Sequence, residues 1–79
     1  MLYIINYDLR TPGKDYTGLF NTIASIGPHC RVLRSCWYVQ SERSAQQIKE
    51  LLHPNIDYND KLLVSAVIDN SSVNIFATA

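Results

Sequence analysis

The 79-residue chain carries seven Lys and Arg residues against seven Asp and Glu residues, so its formal net charge is zero at pH 7. Proteins that depend on phosphate contacts usually carry a basic excess, so the composition gives no sign of a dedicated, tight nucleic-acid-binding domain. This length allows one domain, spanning residues 1–79, which buries only about 60% of the surface exposed by its unfolded form.

So short a domain usually needs a disulfide framework, a structural metal or oligomerisation for stability. The two cysteines, Cys30 and Cys36, are too few for a disulfide framework, and their spacing is neither a redox nor a zinc motif. Oligomerisation is the remaining source of stability. No basic segment precedes the first apolar residues, and no apolar run approaches about 18 residues. These features predict a cytoplasmic protein with no membrane partner.

The first predicted element is a strand over residues 2–9, in which β-branched and aromatic residues alternate and both faces are apolar in the first half. Pro12 and Gly13 end it with a turn signal. A helix follows, with Asp15 as its predicted cap and Gly27 and Pro28 at its end. Its apolar stripe consists of Tyr16, Leu19, Phe20, Ile23 and Ile26.

Residues 30–35 and 36–41 read as two strands, or as one bent ribbon, that meet at Arg34 and Ser35. An S-x-x-Q capping box from Ser44 to Gln47 then opens a second, short helix that Pro54 ends. The predicted inward residues of this helix are Ala45, Ile48, Leu51 and Leu52.

After a polar loop, residues 62–68 form a near-continuous apolar run, which is typical of a strand buried on both faces. Residues 69–72 read as a turn, and residues 73–78 could add a short fifth strand. The order β-α-β-β-α-β predicts an α+β, ferredoxin-like fold, in which two helices cover one face of a four-stranded antiparallel sheet.

The other face of this sheet would remain open, although strands 2–9 and 62–68 carry apolar residues on both faces. A contiguous apolar patch usually marks an interface, so we expect a homodimer. Two geometries satisfy this expectation. The open faces can pack together, or residues 73–78 can add a strand to the partner's sheet.

Four segments at matching order and spacing over residues 2–68 resemble SinR-like proteins, relatives of the small ferredoxin-fold subunit of the CRISPR spacer-acquisition complex. The resemblance rests on the combination of these segments, since none of them is specific by itself. They are Tyr7-Asp8-Leu9, Pro12-Gly13-Lys14-Asp15-Tyr16, Ser35-Cys36-Trp37 and Asn59-Asp60-Lys61-Leu62-Leu63-Val64.

The resemblance implies a homodimer in which Asp8 faces its copy near the two-fold axis. In some relatives this pair of aspartates is proposed to hold a divalent metal for phosphodiester hydrolysis, which would make Asp8 a catalytic and Mg²⁺-binding residue here. In the spacer-acquisition role the dimer is instead a DNA-binding scaffold. The neutral charge of this chain differs from that of DNA-bridging scaffolds, which tend to be basic.

The other candidate ligand-binding residues are Tyr7 and four cations. Arg10 and Lys14 flank Pro12-Gly13 near a helix N-terminus, a place that favours anions, although the loop lacks the pattern of a Walker motif. Arg31 and Arg34 could contact phosphates or lie over apolar neighbours. The aromatic candidates for base stacking or for the dimer interface are Tyr3, Tyr7, Tyr16, Trp37, Tyr38 and Tyr58.

Two functional hypotheses follow. The first is a dimeric protein that binds nucleotides or nucleic acid, with Mg²⁺-dependent endonuclease activity through Asp8. The second is a non-enzymatic dimer that sequesters a small nucleotide or a protein partner. The sequence offers no second acid or base that would act together with Asp8, so it supports the two hypotheses almost equally.

Overall fold

A computed structural model describes residues 1–67 of the chain. Within this range, one four-stranded sheet and two α-helices form, so the predicted α+β class is confirmed. The predicted fifth strand at residues 73–78 and the turn at 69–72 lie outside the described residues. The elements are β1 (Leu2–Asp8), α1 (Thr17–Ile26), β2 (His29–Leu33), β3 (Cys36–Gln40), α2 (Ala45–Leu52), a short 3-10 helix (His53–Asn55) and β4 (Lys61–Ala66).

The strand order is β2-β3-β1-β4, and every neighbouring pair is antiparallel. This arrangement is compatible with a ferredoxin-like fold. The central strands β1 and β3 turn alternate residues toward the helices, where the side chains are buried. Both helices contribute to the same core, so they cover the same face of the sheet. The core consists of Tyr3, Ile5, Tyr7, Leu19, Ile23, Ile26, Trp37, Val39, Ile48 and Leu52.

The helix boundaries follow the sequence signals closely. The predicted cap, Asp15, lies one residue before the N-cap position, which Tyr16 occupies without a side-chain cap bond. The Asp15 carboxylate instead accepts the N–H of Thr17, the first helical residue, at 2.9 Å. In the capping box of α2, the Gln47 N–H donates to Ser44 Oγ at 3.1 Å, and the Ser44 N–H donates to Gln47 Oε1 at 2.9 Å. Leu51 was expected to point inward, which is wrong: it is 40% exposed, while Ile48 and Leu52 fill the core.

The prediction that the last apolar run is buried on both faces is also wrong. β4 covers Lys61–Ala66 and lies at one side of the described sheet, where it pairs with β1. Leu62 and Val64 pack against the core, whereas Leu63 is 58% exposed. The apolar run reflects one covered face and one outward face that carries an additional leucine.

The outward face of the sheet, which we call the outer face, carries apolar side chains on all four strands. Directly paired residues of antiparallel strands share a face. Asn6 pairs with both Leu63 and Cys36, and Cys36 pairs with Leu33. One row across the outer face therefore ends in two exposed leucines, since Leu33 is 64% exposed.

None of the helices in residues 1–67 is long and apolar enough to cross a membrane. Gly27, at the end of α1, has an extended backbone with φ of 170°, so left-handed geometry does not explain the glycine. A Cβ atom at Gly27 would lie 2.3 Å from the carbonyl oxygen of Gln40. The glycine allows the chain to pass directly against β3.

We expect Gly27→Ala to lower the free energy of unfolding by about 1–3 kcal/mol, because the added methyl group forces α1 away from β3. Urea unfolding followed by circular dichroism measures this change. The matched control is Gly18→Ala in the first turn of α1, where the nearest atom is the movable side-chain oxygen of Asn55 at 3.0 Å. Equal stability of the two variants would contradict the close approach at Gly27.

Candidate functional site

The antiparallel sheet brings the predicted site residues to one end of the molecule, which we call the β1 end. It comprises the last residues of β1, the turn between β2 and β3, and the start of β4. Asp8 pairs with Lys61, and the Tyr7 N–H donates to the Ser35 carbonyl at 3.1 Å. These contacts join segments that are far apart in sequence.

A cavity of about 580 Å³ opens at the β1 end between the sheet and the start of α1. We call it the arginine cavity, because it contains the two arginines of the β2–β3 hairpin. Four of the six residues predicted to form the site line it. The full lining consists of Tyr7, Asp8, Leu9, Phe20, Arg31, Arg34 and Ser35.

Arg31 is held in place by aromatic rings and by the hairpin turn. Its guanidinium lies 4.5 Å from the Phe20 ring centroid and 5.3 Å from the Trp37 ring centroid, within the range of cation–π attraction. Its Nε and Nη2 atoms donate to the Arg34 carbonyl at 3.1 and 2.7 Å. Arg31 therefore fixes the turn that carries Arg34.

The hydroxyl group of Tyr7 completes this support. It donates to the Arg34 carbonyl at 2.7 Å and accepts the Trp37 Nε1–H at 3.0 Å, and Arg31 Nη2 approaches it at 3.3 Å. Tyr7 is only 8% exposed, so its ring belongs to the core. Tyr7 was predicted to bind ligand, and the structure gives its hydroxyl the role of anchoring the Arg34 turn.

Arg34 lies in the turn between β2 and β3, at the junction where the two predicted strands meet, and it is exposed. Its carbonyl group is tied down by Arg31 and Tyr7. Its guanidinium has no hydrogen-bond or ion-pair partner among residues 1–67. The backbone of Arg34 is thus fixed while its charged group is available to a ligand.

Asp8 points away from the helices and forms an ion pair with Arg10. Arg10 Nε and Nη2 lie 2.8 and 2.7 Å from the same carboxylate oxygen, and both side chains are 54% exposed. The hydrogen bond and the negative charge of Asp8 raise the pKa of Arg10. The charge of Asp8 is thereby balanced within the chain.

Magnesium usually takes one or two carboxylates together with further oxygen ligands. Residues 1–67 contain no cluster of three or more His, Cys, Asp or Glu side chains that could hold a metal ion. Asp8 offers a single carboxylate that already pairs with Arg10. Mg²⁺ binding by Asp8 stays a prediction, and the homodimer implied by the resemblance would add a second carboxylate.

A second cavity, of about 410 Å³, lies at the ends of β1 and β4, and Tyr7 and Asp8 line both this cavity and the arginine cavity. Arg10 and Lys14 line neither of the two cavities. Lys14 Nζ lies 5.7 Å from the Tyr16 ring centroid. The structure thus divides the four predicted cations into a pair in the arginine cavity and a pair on the β1–α1 loop.

Asp60 was not among the predicted site residues, yet it is the buried charged residue of the described chain. Its carboxylate accepts the Arg10 N–H at 2.6 Å, the Asp57 N–H at 2.8 Å and the Tyr16 hydroxyl at 2.8 Å. These bonds join the β1–α1 loop to the loop before β4. In the sequence, Asp60 is an acidic residue directly before an apolar strand, and this local pattern does not reveal its partners far away in the chain.

The surroundings of Asp60 act on its pKa in opposite directions. Burial, the largest single influence, raises the pKa of the carboxyl group, whereas hydrogen bonds from the N–H groups of Arg10 and Asp57 lower it. The Tyr16 hydroxyl and the positive charge of Lys14 lower it further. The pKa of Asp60 therefore lies below its ordinary value, so the folded state favours the ionised carboxylate.

No protein-family model, curated protein or solved structure matches this chain. The resemblance to SinR-like proteins therefore stays a prediction from the sequence.

Because the pKa of Asp60 is lower in the folded than in the unfolded chain, where it is about 3.9, ionised Asp60 stabilises the fold above that pH. This contribution is lost as the pH falls below about 4 toward the folded value. We expect Asp60→Asn to be less stable than the wild type at pH 7, with the difference shrinking at pH 3. Urea unfolding at both pH values measures it.

The control is Glu42→Gln, which removes the same charge from an exposed position after β3. It should follow the wild type at both pH values. An Asp60→Asn variant whose stability differs from that of the wild type by the same amount at pH 7 and pH 3 would contradict the assigned role of the carboxylate.

Proposed function

We propose that this domain binds phosphate-bearing ligands, either nucleotides or single-stranded nucleic acid, at the arginine cavity. The observation that carries the proposal is Arg34, whose backbone is fixed by Arg31 and Tyr7 while its guanidinium has no partner among residues 1–67. Arginine recognises phosphate through paired, charge-assisted hydrogen bonds. The fixed backbone lowers the ordering cost of binding, although the free side chain of Arg34 still loses rotamer freedom when it contacts a ligand.

The local charge supports binding of an anion even though the net charge is zero. The arginine cavity holds Arg31, Arg34 and a single carboxylate, Asp8. Since Arg10 balances the charge of Asp8, the cavity surroundings are positive. The buried carboxylate of Asp60 lies in a different environment, enclosed by its own hydrogen bonds.

The size of the cavity also suits a small ligand. Its volume of about 580 Å³ falls within the usual range of roughly 300–1,000 Å³ for ligand pockets. Its lining combines the aromatic ring of Phe20 with the two guanidinium groups. Aromatic and cationic groups together suit a nucleotide, whose base is flat and whose phosphate is charged.

We also propose that the protein acts as a homodimer through the outer face, in keeping with the sequence prediction. Leu33 and Leu63 are 64% and 58% exposed and end one row across that face. Apolar side chains gathered on one face favour a self-complementary interface. Asp8 lies on the same face, so this pairing is the one that could supply a second carboxylate.

Endonuclease activity through Asp8 and Mg²⁺ stays a prediction of the sequence resemblance, as does the cytoplasmic location. The Asp8–Arg10 ion pair favours a binding role, because it supplies the carboxylate with a cation from its own chain.

For the binding proposal, we expect Arg34→Ala to weaken the binding of inorganic pyrophosphate about tenfold, because a charged hydrogen-bond donor is lost. Arg34→Lys should give an intermediate affinity, since lysine keeps the charge but not the paired donors. Isothermal titration calorimetry measures both, and binding should weaken as salt rises.

The control is Arg43→Ala, which removes an exposed arginine near Ser41, whose N–H bonds to Met1 at the opposite end of β1. It should bind pyrophosphate like the wild type. If Arg34→Ala and Arg43→Ala bind equally well, the arginine cavity is not the site.

For the dimer, we expect Leu63→Lys to shift the sedimentation coefficient from that of a dimer to that of a monomer, because the substitution places a charge in an apolar interface. Analytical ultracentrifugation measures this shift. Leu51→Lys, which changes an exposed leucine of α2, should leave the dimer intact. A wild-type protein that sediments as a monomer would refute the proposal.

A further inference from the structure

The guanidinium of Arg31 rests on two aromatic rings. It lies 4.5 Å from the Phe20 ring centroid and 5.3 Å from the Trp37 ring centroid. The two centroids are themselves only 6.4 Å apart, which is less than a guanidinium placed between the rings would require. Both rings therefore lie toward one side of the guanidinium, and the side away from them is free of ring contacts.

Most hydrogen-bond donors of Arg31 are already used within the protein. Nε and Nη2 both donate to the Arg34 carbonyl, and Nη2 also lies 3.3 Å from the Tyr7 hydroxyl. Paired recognition of a phosphate needs two parallel N–H groups on neighbouring nitrogens. Nη2 belongs to both such pairs of a guanidinium, so Arg31 keeps no free pair for a phosphate, and Nη1 alone has no partner among residues 1–67.

The free side of Arg31 can be reached by a ligand. The side chain is exposed and lines the arginine cavity. Arg31 pairs with the core residue Trp37, which is only 6% exposed, and directly paired residues share a face of the sheet. Arg31 therefore lies on the face opposite the outer face, so a ligand on its guanidinium does not compete with the proposed dimer interface.

A flat guanidinium that is supported from below and open above is suited to stacking on a nucleobase. Stacking uses the face of the guanidinium, so it needs no free pair of N–H groups. The guanidinium of Arg34, in contrast, has no partner among residues 1–67, and its donors are available to a phosphate. The two arginines of the cavity thus offer one surface for a flat ring and one group for an anion.

We propose that the arginine cavity binds one mononucleotide, whose base stacks on the free side of the Arg31 guanidinium while its phosphate pairs with Arg34. This inference rests on the proposed function of the cavity and names its ligand as a free nucleotide rather than a strand of nucleic acid. The cavity of about 580 Å³ offers one stacking surface and one available guanidinium, which match one base and one phosphate. Inorganic phosphate or a sugar phosphate would leave the stacking surface unused.

The test compares AMP with ribose 5-phosphate, which has the same sugar and phosphate but no base. In calorimetry, we expect the wild type to bind AMP about fivefold or more tightly than ribose 5-phosphate, because stacking adds to the phosphate contact. Arg31→Lys keeps the charge but removes the flat group, so it should abolish this preference. The matched control, Arg34→Lys, should weaken both ligands and keep the preference. In difference spectra, the adenine absorbance should fall when AMP binds to the wild type, which reports stacking independently of affinity.

Each contrary outcome is decisive. If the wild type binds AMP and ribose 5-phosphate equally well while Arg34→Ala still weakens pyrophosphate, the stacking inference fails and the proposed function stands. If Arg31→Lys keeps the preference for AMP, Arg31 only supports the turn and the inference is overturned. A short oligoadenylate that binds about tenfold or more tightly than AMP would overturn it in favour of a strand. If the wild type binds none of these probes, the proposed function itself fails.

Discussion

The geometry of the β1 end depends on one buried carboxylate. Asp60 accepts hydrogen bonds from the backbone of Arg10 and Asp57 and from the Tyr16 hydroxyl. The hydrogen bonds between the β1–α1 loop and the loop before β4 involve side chains. The two loops are therefore not held together by the backbone hydrogen bonds of paired strands. An ionised group that satisfies several donors is strongly directional, and it sets the positions of both loops together.

On the other side of β1, a second network, which contains aromatic rings, fixes the turn between β2 and β3. Arg31 lies against Phe20 and Trp37, and its guanidinium shares the Arg34 carbonyl with the Tyr7 hydroxyl. The core thus extends into the cavity wall. The core therefore fixes the backbone from which the Arg34 side chain extends, and this connects the packing of the fold to the proposed site.

The distribution of charge explains how a neutral chain can have a local site for anions. Net charge adds up all the groups, whereas a ligand senses those within about one Debye length, roughly 8–10 Å. Asp8 is balanced by Arg10 and Asp60 is enclosed by donors, which leaves the positive charges of Arg31 and Arg34 at the arginine cavity. The zero net charge is therefore consistent with weak, salt-sensitive binding rather than with tight DNA bridging.

The sequence determined the elements of this protein, because helix caps and side-chain alternation act over a few residues. The Ser44–Gln47 capping box is an example. It also placed Tyr7, Asp8, Arg31 and Arg34 among the candidates that line one cavity. Tertiary structure alone decided which side of the sheet β4 occupies, that Leu51 is exposed, and that Asp60 joins two loops. These outcomes depend on partners some fifty residues apart, as for Asp60 and Arg10, and local patterns carry no record of such pairings.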